Sequence, residues 1–162
     1  MKIIRLCTNG LARFLISSVF LAGAINKILH WHEMERTLMN VICDWQAYVG
    51  FSENMQQCVA VTASWVPLLL IVATLFELAG GLMVLLGVKE KLGATLLILF
   101  LIPSTVIMHQ FWFIEGSARE LQTVMFLKNL AILGALLLIL LIENAPSAKQ
   151  SGGDVYPPIK FG

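Results

Sequence analysis

Apolar positions along this chain gather into four long runs, approximately Thr8–Leu29, Val61–Gly87, Leu92–Phe113 and Leu121–Ile142, parted by polar connections. Each run exceeds the ~20 residues that an α-helix needs to cross a hydrocarbon core about 30 Å thick. The pattern predicts an all-α membrane protein, a four-helix transmembrane bundle held in residues 1–145. The first connection, an outer loop of about residues 30–60, is long and mixed. Within it Met34, Leu38, Val41, Ile42, Trp45 and Val49 recur at helical spacing as far as Gly50, which predicts an amphipathic helix lying in the outer interface. The second connection, Val88–Lys91, follows Gly87 as a turn follows a helix C-cap, and the third runs from Ile114 to Glu120. Residues 146–162, with three prolines and repeated Ser and Gly, are expected to form a disordered cytoplasmic tail.

Polar side chains interrupt these runs, and they are costly there. A charge at the centre of a spanning helix is disfavoured by roughly 2.5–3.5 kcal/mol on insertion scales. Arg13 and Lys27 lie in the first run, Glu77 in the second, His109 in the third, and Lys128 beside Asn129 in the fourth. We expect them to face one another inside the bundle. At about 1.5 Å of rise per residue, Glu77 falls near mid-membrane, with Lys27, His109 and Lys128 in the outer half. Arg13 falls in the inner half, within snorkelling reach of the headgroups. Pro103 is expected to kink the third helix and free a carbonyl below His109, while Gly80, Gly81, Ala131 and Ala135 allow close helix contacts.

Composition points to the same class. Of 162 residues, 58% are hydrophobic and 13% charged, about half the charged share of a soluble domain. A net charge of +1, without a basic run bearing aromatics, indicates no nucleic-acid partner. Lys2, Arg5, Lys89, Lys91, Lys149 and Lys160 fall on one side of the four runs, against Arg36 and Arg119 on the other. The positive-inside rule therefore puts both termini in the cytoplasm, and Trp31, Trp65 and Trp112 near the outer interface. Lys2 and Arg5 before Ala22-Gly23-Ala24 also fit a cleavable leader, but Arg13 and the continuing helical pattern at Asn26-Lys27 favour a retained first span.

The chemistry open to the polar residues follows from their surplus of positive charge. Glu77 is either paired, with Lys128 or Lys27, or a protonated hydrogen-bond donor. The remaining Lys and His109 would then suit an anionic or electron-rich ligand such as a sulfur oxyanion, a quinone carbonyl or a lipid headgroup. A His beside a Glu can also relay protons. The same charges could instead only fix helix register. Cys43 and Cys58 share the outer loop and could form a disulfide in an oxidising compartment, while Cys7 faces the cytoplasm. There is no C-x-x-C motif. His30-Trp31-His32 is expected to be an interfacial anchor, and no metal site is predicted. Phosphate loops, dinucleotide fingerprints and G-x-S-x-G elbows are absent from the sequence.

Several strings resemble the DoxX family of small bacterial inner-membrane proteins. They are Arg13 followed by Phe20-Leu21-Ala22-Gly23-Ala24-Ile25-Asn26-Lys27, and Glu77-Leu78-Ala79-Gly80-Gly81-Leu82 ending at Gly87. Pro103 through His109-Gln110-Phe111-Trp112, and Met125-Phe126-Leu127-Lys128-Asn129-Leu130, complete the set. The resemblance implies a four-helix bundle in the bacterial inner membrane and an association with membrane redox metabolism, including thiosulfate:quinone oxidoreduction. The outer loop looks longer than is usual for the family, and Ala24 and Ala135 stand where relatives often carry Gly.

We therefore expect a subunit of membrane redox metabolism, accessory to a quinone-linked oxidoreductase, with an outer-facing pocket for a quinone or small anion. Glu77 and His109 would move protons; Lys27, Lys128, Asn129, Asn26 and Arg13 would serve the ligand. Expected partners are the lipid bilayer, a membrane or periplasmic redox protein, and further copies of the chain. The alternative is a non-catalytic assembly or carrier protein whose buried charges specify helix packing.

Overall fold

The computed structural model describes residues 2–48, 61 and 63–142. Among them five helices follow in order: α1 (Lys2–Leu29), α2 (Trp31–Tyr48), α3 (Val66–Leu86), α4 (Glu90–Met108) and α5 (Ser117–Ile142). All but α2 are long and apolar enough to cross a membrane. Adjacent spans are antiparallel: α1 packs on α3, α3 on α4, and α4 on α5. The C-terminal ends of α1 and α4 thus meet the N-terminal ends of α3 and α5. At that end α2 packs against α1, α3 and α4.

Local sequence explains the helix ends. Pro67, at the start of α3, has no N–H to leave unsatisfied there. Gly87 closes α3 at φ 68°, with its N–H bonded to Val84 O and the Val88 N–H to Met83 O. This is a Schellman cap, and its left-handed residue favours glycine. α4 follows at once from Lys89, itself left-handed at φ 48°. Where α3 and α4 cross, a Cβ on Gly80 would lie 2.9 Å from the Gly93 carbonyl oxygen, so glycine lets the two backbones touch.

The core gathers Phe20, Val84, Ala94, Leu97, Phe100, Leu101 and Leu136. α3 and α4 lie in the middle of the bundle; α5 lies outermost and exposes Leu121, Val124, Leu127, Leu130 and Leu138. Such side chains are solvated by lipid tails, which are as apolar as leucine. This is a multi-pass membrane protein.

Two boundaries differ from the hydropathy reading. The third span was expected to reach Phe113, but α4 ends at Met108 and residues 111–113 form a turn. The Gln110 amide donates to Ile107 O at 3.0 Å and to Val41 O at 3.4 Å, so it caps α4 and ties it to α2. Phe111, Trp112 and Phe113 are apolar enough to extend the run, yet they fold into an aromatic cluster with Trp45 and Tyr48 of α2. The second span likewise begins at Val66 rather than Val61, after a turn over residues 63–65. The expected tail and Val49, Gly50 and Cys58 lie outside the described residues, and with Cys58 the proposed Cys43–Cys58 bond; Cys43 itself is buried in α2.

Candidate functional site

The centre of the site is an ion pair between α1 and α3. Lys27 Nζ donates to Glu77 Oε2 at 2.6 Å, and the Glu77 side chain is almost wholly buried. Gly23, one turn before Lys27, makes the pair possible. A Cβ at position 23 would run into Glu77 Oε1, so only a bare backbone lets the carboxylate sit against α1. Lys27 Nζ also lies 3.5 Å from Gly23 O and stands over the Phe100 ring, 5.1 Å from its centroid. A cation over an aromatic face is attracted by the ring quadrupole. An ammonium has three N–H donors, so after Glu77 and Gly23 one remains.

His109 occupies the C-cap of α4, where its N–H bonds to Thr105 O. Its Nδ1–H donates to Gln122 Oε1 of α5 at 2.8 Å. Nε2 is then the ring's remaining site for binding or releasing a proton.

Lys27 and His109 line the same cavity of about 400 Å³. Its walls are mainly apolar: Phe76 from α3, Phe100, Pro103 and Met108 from α4, and Leu38 and Ile42 from α2. The volume falls within the range of small-molecule sites, which pair apolar walls with a few placed polar groups. Pro103 adds one feature, since it has no N–H to offer the carbonyl of Leu99, another wall residue.

The other sequence-predicted positions do not converge on this cavity. Arg13 was expected to reach the headgroups; instead its Nη2 pairs with Glu90 Oε1 at 2.5 Å and its Nε bonds to Asn9 Oδ1. It packs over Gly87 and fastens α1 to the α3–α4 turn, at the end away from α2. Lys128 lies on the exposed face of α5 and touches Met125 Sδ at 3.4 Å. Of the two lysines open as partners of Glu77, Lys27 takes it. Asn129 donates to Thr105 Oγ1 at 3.1 Å, linking α5 to α4. The Asn26 side chain is exposed, while the backbone carbonyl of Asn26 accepts from the His30 N–H and Nδ1–H. His32 faces Glu35 at 3.7 Å.

Sequence reasoning passed over Gly23, Phe100 and Gln122. The Gly23–Lys27 spacing of four, on one helix face, carried a usable signal for the first. Nothing in an apolar run marks Phe100 among its neighbours.

Fold and cavity together define a four-span membrane protein with a buried ion pair beside a largely apolar cavity. The chain belongs to the DoxX family, whose model matches residues 10–110. The match takes in Arg13, Lys27, Glu77 and His109 and ends before α5, so Lys128 and Asn129 lie beyond it. The chain is also similar to inner membrane protein YphA of Escherichia coli (strain K12), at 28% identity over 102 residues. That similarity covers 63% of this chain and 73% of the relative. No solved structure matches significantly.

Proposed function

We propose that the protein is a quinone-binding subunit of membrane redox metabolism. The observation that carries this reading is the joint placement of Lys27 and His109 on one largely apolar cavity inside a bundle of membrane-spanning helices. A quinone needs an apolar slot for its ring, donors for its carbonyl oxygens, and a proton route when it is reduced. Lys27, held in place by Glu77, supplies a donor; His109, oriented by Gln122, can supply or accept a proton through Nε2. Electrons would pass to or from a membrane or periplasmic redox partner. The relative's printed name and the Lys/Arg asymmetry support an inner-membrane location with both termini cytoplasmic.

The test is titration of decyl-ubiquinone into the purified full chain, wild type and His109→Leu, in lipid nanodiscs. We expect saturable binding by wild type and weakening of about tenfold, near 1.4 kcal/mol, in the variant. Absence of wild-type binding would favour the assembly role. One observation fits that second reading: Lys27–Glu77 and Arg13–Glu90 are satisfied pairs that would fix helix register without any ligand.

A further inference from the structure

We propose that the cavity opens sideways into the bilayer between α3 and α4, and that it takes a neutral, membrane-dissolved amphiphile whose apolar chain leaves through this opening. The proposal rests on the quinone reading and adds to it the route of entry, the charge of the head and the place of the chain.

The opening is inferred from residues that face two ways. Leu69 and Val72 of α3 and Leu99 of α4 line the cavity, yet they are 51%, 40% and 55% exposed. Side chains do both where the wall between helices is no more than one side chain thick, and the breach is placed there. The breach lies at membrane depth: Val72 is five residues before Glu77 and Leu69 eight, about 7–12 Å along α3. What borders it is therefore lipid.

The end of the cavity at the aromatic turn is covered instead. Met34, Leu38 and Ile42 of α2 form part of its lining. Gln110 ties α2 to the end of α4, and Trp45 packs edge-on against Phe113 at 5.5 Å between centroids. A water-borne ligand would have to pass this helix. A chain-bearing ligand dissolved in the membrane meets only a gap between α3 and α4.

Charge narrows the class further. Lys27 and Glu77 together carry no net charge, and no other Lys or Arg lines the cavity among the described residues. A small anion would lose its hydration shell and find a counter-charge only in a protonated His109. A neutral carbonyl asks only for the N–H that Lys27 still has. The geometry thus points away from a sulfur oxyanion and toward a quinone carrying an apolar chain.

The experiment uses the full chain in nanodiscs with decyl-ubiquinone as probe. Val72→Trp combined with Leu99→Trp fills the opening, and Leu75→Trp, on an exposed part of α3 that does not line the cavity, adds the same bulk elsewhere. The expected result is binding weakened about tenfold or more by the filled opening and unchanged by Leu75→Trp. Thiosulfate at millimolar concentration should not compete. Should the double variant unfold, the single Val72→Phe variant, read by the association rate, replaces it with the same expectation of slowing. Retained binding in the filled variant, with loss on Leu38→Trp in α2, would overturn side entry while leaving the quinone reading intact. Competition by thiosulfate would overturn the neutral head. Failure of wild type to bind decyl-ubiquinone would overturn both the proposal and the reading beneath it.

Discussion

On the proposed reading Lys27 has two tasks, and they can be separated by substitution. It pairs with Glu77 in the bundle, and as a residue of the cavity wall it would offer its remaining N–H to the ligand. Lys27→Met alone leaves a buried carboxylate without its cation, a change that costs about 3–5 kcal/mol in comparable pairs. Adding Glu77→Gln removes the uncompensated charge, so the double variant should recover most of the lost thermal midpoint in detergent. Gly23 gives a second residue-scale prediction. An exposed helical glycine gains up to about 1 kcal/mol on conversion to alanine. Gly23→Ala should instead lower the midpoint, because its methyl group takes the space of the Glu77 carboxylate. Gly10→Ala, where a Cβ meets nothing within 4 Å, serves as the control. At this scale the sequence exposed the cost of each charge but not its partner. Glu77 faced two lysines, and only the packing of α1 on α3 selects Lys27; Arg13 found its carboxylate in Glu90, a residue that reads as part of a turn.

Among the elements, α3 and α4 are held closest, and glycine is the reason. A Cβ on Gly80 would lie 2.8 Å from Leu97 Cγ and 2.9 Å from a backbone oxygen that cannot retreat. Gly80→Ala should therefore destabilise the protein by about 1–3 kcal/mol, measured as thermal midpoint in detergent. Gly134→Ala on α5, with open space around it, should be neutral or stabilising. All four spans and α2 were legible from periodicity and run length, since lipid and helix geometry demand both. The end of α4 was not. Hydropathy counts Phe111, Trp112 and Phe113 as membrane core, whereas their rings pack as a turn against α2 and a single amide, Gln110, closes the helix. An aromatic turn and an aromatic helical end have the same composition.

For the whole molecule, the proposed function rests on the distribution of polar groups. The sequence led us to expect the intramembrane charges to face one another inside the bundle, with Arg13 alone in the inner half. The folded chain divides them: Arg13 and Glu90 join α1 to the α3–α4 turn, Lys27 and Glu77 serve the cavity with His109, and Lys128 stays on the exposed side of α5. Whether a side chain in an apolar run points inward depends on which face its neighbours cover. Among the described residues α5 packs chiefly on α4, and a sequence does not state that. The division makes the account testable with two lysines of equal charge. The most direct measurement is decyl-ubiquinone affinity in nanodiscs for wild type, Lys27→Met with Glu77→Gln, and Lys128→Met, each checked for thermal stability. Affinity should fall about tenfold or more in the first variant and stay unchanged in the second. Equal affinity in wild type and the Lys27 variant, or loss on Lys128→Met, would rule out Lys27 as the ligand's donor.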